Sequence, residues 1–171
     1  MERQLDFFVD ALTNSIEKVS SGENFDTEVI PLAKSDLIQV TKKSGWNFNW
    51  QLEFKNPKNE VYKLIVVKVS DVIQGLLSLT VERDHVYINL LESAPFNIGQ
   101  TKEYKGVAGN LVAYACKRSF ECGFGGNVAF TAKTKLIKHY IQTLGARIIG
   151  GQRMAILEKE ANFLINKYYN S

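Results

Sequence analysis

Lys105-Gly106-Val107-Ala108-Gly109-Asn110-Leu111 is the stretch on which the reading of this chain turns. It opens a helical face made of Leu111, Val112, Ala115, Cys116, Ser119 and Phe120. Glycine and alanine at such a place keep side chains away, so successive backbone N–H groups can converge on one anion. The positive end of the helix dipole adds to that potential. Lys102 and Lys105 reinforce it. No Gly-Lys-Ser/Thr follows, which excludes a Walker loop, and the unit follows an antiparallel meander, which excludes a dinucleotide fingerprint. An ordinary helix start after a flexible loop has the same composition, so the loop alone leaves both readings open.

Downstream, helix and strand alternate. Gly123 and Gly125-Gly126 close the first helix, residues 127–131 read as a short buried strand, and Leu136, Ile137, Tyr140, Ile141 and Leu144 form a second stripe ending at Gly145. Residues 147–149 and 153–157 pair around Gly150-Gly151-Gln152, and Ala161, Leu164, Ile165 and Tyr168 mark a terminal helix over 158–171.

Upstream, the period is two. Phe48, Trp50, Leu52 and Phe54 alternate with polar residues and predict a strand. After the turn Asn56-Pro57-Lys58-Asn59 come strands over 61–69, 74–82 and 85–92, the last two joined at Arg83-Asp84, giving an antiparallel meander of about four strands. A short apolar stretch, Val29-Ile30-Pro31-Leu32, precedes a helix capped at Ser35-Asp36 and running to Gly45. Leu5, Phe8, Val9, Leu12, Ile16 and Val19 stand at helical spacing and predict an N-terminal helical extension over 1–26. The sum is a single mixed α/β domain over 1–171, with a central twisted sheet of about six to seven strands flanked by helices.

Composition excludes several classes. With 171 residues, 45% hydrophobic and 23% charged, the chain has the makeup of a globular domain. Twenty-one basic against eighteen acidic residues leave +3, too dispersed for a DNA-binding surface. Only Cys116 and Cys122 are present, which points to a reducing, cytoplasmic setting. No apolar run has the length of a signal peptide or membrane span, so no membrane association is expected. No set of His, Cys, Asp or Glu has metal-ligand spacing, and no metal is expected.

The 105–111 loop resembles motif A of the GCN5-related N-acetyltransferase (GNAT) superfamily, Gln/Arg-x-x-Gly-x-Gly/Ala, with Gly106 and Ala108 at the small positions. Residues 29–37 are similar to that family's first strand and helix start, residues 73–79 to its third strand with Gly75, and Leu144-Gly145-Ala146 to its Leu-Gly-Phe ending. The resemblance covers roughly positions 29–157. The chain departs from the family at Glu103, where Gln or Arg is usual, and at Ile141, where tyrosine is frequent.

The resemblance implies acetyl-CoA as co-substrate and transfer of the acetyl group to a primary amine, on a small molecule or a protein. It assigns the pantetheine arm to the backbone of Leu90, Leu91 and Glu92 and the pyrophosphate to Lys105, Gly106, Val107, Ala108, Gly109, Asn110 and Leu111. Lys133, with Lys135, is set near the cofactor's 3′-phosphate. Glu92 is the candidate base and Tyr140 the candidate acid. Glu92 reads equally as a solvated strand end and Tyr140 as a core aromatic. The departures keep a second reading in play, a catalytically silent acyl-CoA-binding or interaction module. The sequence leaves the acceptor and the oligomeric state open, a homodimer included.

Overall fold

The computed structural model describes residues 2–169; Met1 and the last two positions of the 158–171 helix lie outside the described residues. In chain order the elements are β1 (Ile16–Lys18), β2 (Asn24–Phe25), β3 (Thr27–Pro31), α1 (Trp50–Lys55), β4 (Glu60–Val66), β5 (Ser70–Val81) and β6 (Val86–Ser93). Then come β7 (Tyr104–Lys105), α2 (Val107–Glu121), β8 (Val128–Thr131), α3 (Ile137–Leu144), β9 (Arg147–Gly150), β10 (Arg153–Ile156) and α4 (Glu158–Tyr169).

Seven strands make one mixed sheet in the order β3-β4-β5-β6-β8-β10-β9. Every neighbour is antiparallel except β6 and β8, which run parallel. That parallel pair holds only at Val86 with Val128 and Tyr87 with Ala129; beyond it the strands part. The register of β5 and β6 slips between Ser78–Leu90 and Leu79–Ile88, which leaves Asn89 as a bulge residue where the parting begins. α2 packs on β5, β6 and α4. Gly75 lets it come close, since a Cβ there would press on the side chains of Val107 and Leu111. A small second sheet, β2-β1-β7, is placed just ahead of α2. One apolar core runs from Leu5 to Tyr168, with Trp50, Phe130 and Tyr140 among its largest members.

Four expectations need correction. Residues 1–26 do not form a helix where described. Leu5, Phe7 and Val9 are buried while Asp6 and Phe8 face solvent, a period of two, and Phe8 is 65% exposed. The backbone of this segment is satisfied by the sheet and by distant side chains, so an extended course leaves no polar group stranded. Second, the segment after β3 forms two 3-10 turns, Lys34–Gln39 and Lys42–Ser44, in place of an α-helix. Asp36 Oδ2 accepts from the Ala33 N–H and also holds Lys63, while Ile38 is 82% exposed and has no apolar surface to join. Third, residues 48–54 form a helix start and not a strand: Asn49 Oδ1 accepts from the Leu52 N–H, Trp50 and Glu53 bury, and Leu52 faces outward. Apolar residues two apart also fall at i and i+4, so the pattern was ambiguous in so short a stretch. The meander therefore starts with Thr27–Pro31, and β4 ends at Val66, ahead of the left-handed Lys68.

Candidate active site

The parting of β6 and β8 creates a cleft whose far end is the start of α2. Gly106 occupies the N-cap with φ 91°, a left-handed conformation that favours glycine, so the helix has no side-chain cap of its own. The acceptor comes from far away: Gly106 N–H donates to Asp10 Oδ1 at 3.1 Å. A carboxylate is well suited to the positive end of a fifteen-residue helix. Lys102 Nζ meets the other oxygen, Asp10 Oδ2, at 2.9 Å.

Residues 2–10 fill the cleft. Arg3 donates to the carbonyl of Asn89, the bulge residue of β6, at 3.1 Å. Leu5 N–H donates to Thr131 O at 2.7 Å and Leu5 O accepts from Lys133 N–H at 2.9 Å, which bridges the segment to the end of β8 in parallel sense. Tyr140 Oη donates to Phe7 O at 2.6 Å, and Val9 N–H donates to His139 Nε2 at 3.0 Å. Leu5, Phe7 and Val9 supply the apolar filling, with Phe7 against the rings of Tyr140 and Phe130.

The residues assigned to the donor are thus engaged within the chain. Lys133 Nζ pairs with Asp6 at 2.7 Å, and Lys105 Nζ with Glu17 at 2.8 Å. At Gly106 an added Cβ would collide with Thr13 Oγ1, and at Gly109 with the Tyr168 hydroxyl. Both glycines are accounted for by close approach of protein atoms. Val107, Ala108 and Leu111 are buried in the first turns of α2, and Asn110 donates to Thr27 Oγ1 and accepts from Tyr169. Leu90 and Leu91 are buried opposite Ser78 and Leu77 of β5. Glu103 is exposed. An arm laid along Leu90 to Glu92 as the resemblance implies would meet residues 2–10 in this arrangement, and Asp10 takes the N–H at the helix start.

Glu92 is buried, with Oε2 accepting from Asn47 N–H at 2.7 Å and Oε1 from the Trp50 indole at 2.9 Å. It lines a cavity of about 250 Å³ with Phe7, Asp10, Phe48 and Lys102. Tyr140 is fully buried and burial pushes its phenol up, while Ile141 points outward at 43% exposure. Tyr140, with His139 beside it, meets the cleft-filling segment, and Ile141 does not. Among the described residues no group of three or more His, Cys, Asp or Glu is arranged to hold a metal ion, and no helix is long and apolar enough to cross a membrane.

Sequence reasoning missed Asp10, Asp6 and Asn89. Acidic residues at 2, 6, 10 and 17 interleaved with the alternating Leu5, Phe7 and Val9 were the available signal. A second cavity, about 340 Å³, abuts Asn89 and is lined by Glu2, Glu53 and Glu82 against a single cation, Arg3.

No protein-family model matches the chain, and no curated protein does. Solved structures do. The AtaT toxin bound to the C-terminus of the antitoxin AtaR superposes with a TM-score of 0.57 at 17% identity, covering 81% of this chain and 98% of that one. Spermidine N-acetyltransferase from Vibrio cholerae, in complex with CoA and spermine, gives 0.54 at 15% identity, covering 80% and 98%. The IAA acetyltransferase from Bacillus cereus gives 0.50 at 16% identity, covering 78% and 99%. With its seven-stranded mixed sheet, its parted parallel pair and the helix that starts at the mouth of the parting, the chain has the fold of the GNAT acetyltransferases.

Proposed function

We propose that the chain is an acyltransferase that moves acetyl from acetyl-CoA to a primary amine. The observation that carries this reading is the cleft: β6 bulges at Asn89, parts from β8, and leads to the glycine-started N-terminus of α2. Neighbours of the same fold are complexes with acetyl-CoA, and with CoA and spermine, which supports the same donor and an amine acceptor here. Beside Asn89, Glu2 is held by Arg153 and Glu53 by Arg3, which leaves the Glu82 carboxylate to attract an alkylammonium group. In this reading Glu92 takes the amine's proton and Tyr140 is the proton donor facing the same cleft. Lys105 to Leu111 and Lys133 are the donor-binding positions; Lys133 and the Gly106 N–H become available only when residues 2–10 withdraw, and Lys105 only when Glu17 also lets go.

A second reading is favoured by one observation, the occupied cleft. A chain whose N-terminus permanently fills the donor path would be a catalytically silent module.

Calorimetric titration with acetyl-CoA and CoA, followed by turnover on polyamines and lysine peptides, decides between them. Binding with acetyl transfer supports the acyltransferase. Binding without transfer, or absence of binding at millimolar acetyl-CoA in a protein shown to be folded, overturns it in favour of the silent acyl-CoA-binding or interaction module.

A further inference from the structure

We infer that residues 2–10 are a built-in occupant of the donor cleft, an acidic strap that holds the positions an anionic pantetheine donor needs and must leave before that donor enters. This rests on the acyltransferase reading and names how its site is controlled.

Two of the lysines assigned to donor phosphates are neutralised by the strap, and the third by Glu17 of β1. Lys133 pairs with Asp6, Lys102 with Asp10 and Lys105 with Glu17, at 2.7, 2.9 and 2.8 Å. The N–H at the start of α2 receives a carboxylate oxygen of Asp10, in the place where such a helix receives phosphate. Between these charges the backbone of Leu5 bonds to β8 on both of its sides, as the amides of an extended arm would. Leu5, Phe7 and Val9 point into the cleft, and Tyr140 donates to Phe7 O.

The strap is also made to be exchangeable. Its outer ion pair lies at the rim, where Lys133 and Asp6 keep 44% and 39% of their side-chain exposure, whereas Lys102 and Asp10 keep 21% and 15%. Pairs of this kind are individually weak and yield to a multiply charged competitor. Behind it the sheet and α2 pack on each other through Leu76, Leu77, Leu111 and Val112, in the apolar core that Leu5, Phe7 and Val9 join from the cleft side.

The test uses the full-length chain, with CoA as probe, and compares wild type with Asp10→Ala and Leu5→Asp, which loosen opposite ends of the strap. Amide hydrogen exchange over residues 2–10 is read with and without CoA, and affinity is read by calorimetry. Competition requires that saturating CoA deprotect residues 2–10 in the wild type. It also requires that both variants exchange faster without CoA and bind it about tenfold tighter or more, since a larger fraction is open. Leu5→Asp guards against a purely local effect of removing charge at the helix start, and the wild-type arm decides alone if a variant fails to fold. CoA binding that leaves the protection of residues 2–10 unchanged overturns the strap while the donor reading stands. Variants with freely exchanging residues 2–10 and no CoA binding overturn the donor reading, and the strap falls with it.

Discussion

The indole N–H of Trp50 donates to Glu92 Oε1 at 2.9 Å, and this buried bond joins the first turn of α1 to the end of β6. With the part-buried Asn47 N–H on Oε2, the buried carboxylate receives two donors. The candidate base is therefore also a structural tie. Those two roles separate under mutation.

Glu92→Gln keeps one acceptor oxygen and turns an amide NH2 toward the other donor. A buried donor left unpaired costs about 1–3 kcal/mol, so denaturant melts should shift by that amount. If Glu92 also takes the amine's proton, turnover should fall by about 10²–10⁴ while CoA affinity holds. A stability loss with unchanged turnover would leave only the tie.

Gly106→Ala should destabilise by more than about 1 kcal/mol, because alanine is strained at positive φ and its methyl meets Thr13 Oγ1. In a Thr13→Ala background the same substitution should cost measurably less. A double-mutant cycle by chemical denaturation reads the coupling. Strict additivity would show that Thr13 does not press on Gly106.

His139 should give the strap a pH dependence. Burial lowers its pKa, and its Nε2 must be unprotonated to accept the Val9 N–H. A depressed folded pKa means stability that is complete above the unfolded value, about 6.5, and lost as pH falls through the folded one. Exchange at Val9 should therefore quicken with acidification below about pH 6.5 and stay level above pH 7. His139→Gln should flatten that dependence, and wild-type exchange indifferent to pH after correction for intrinsic rates would refute it.

The two thiols should differ in reactivity. Cys116 is fully buried and burial pushes its thiol up, whereas Cys122 is partly exposed. Native protein should take a single maleimide, at Cys122, by mass spectrometry, and denatured protein should take two. Rapid native labelling of Cys116 would mean that the α2 packing opens.

The sequence by itself determined the elements whose pattern is long or chemically explicit. Residues 107–121 repeat apolar positions over a four-turn helix, and residues 74–82 and 85–92 are short apolar runs on either side of a turn, so these elements were legible from the linear pattern. Gly106, Gly75 and Gly145 marked a helix start, a close approach and a helix end. Only the tertiary structure decided the rest. Leu5, Phe8, Val9 and Leu12 fit a helical stripe on paper, but an isolated segment of that length has little helical stability of its own. The cleft between β6 and β8 offers it backbone partners at Thr131 and Lys133 and apolar room at every second residue. The same holds at the site. A carboxylate ninety-six positions from Gly106 cannot be paired with it from a linear pattern, because that contact exists only once the sheet has parted and the N-terminus has entered the gap.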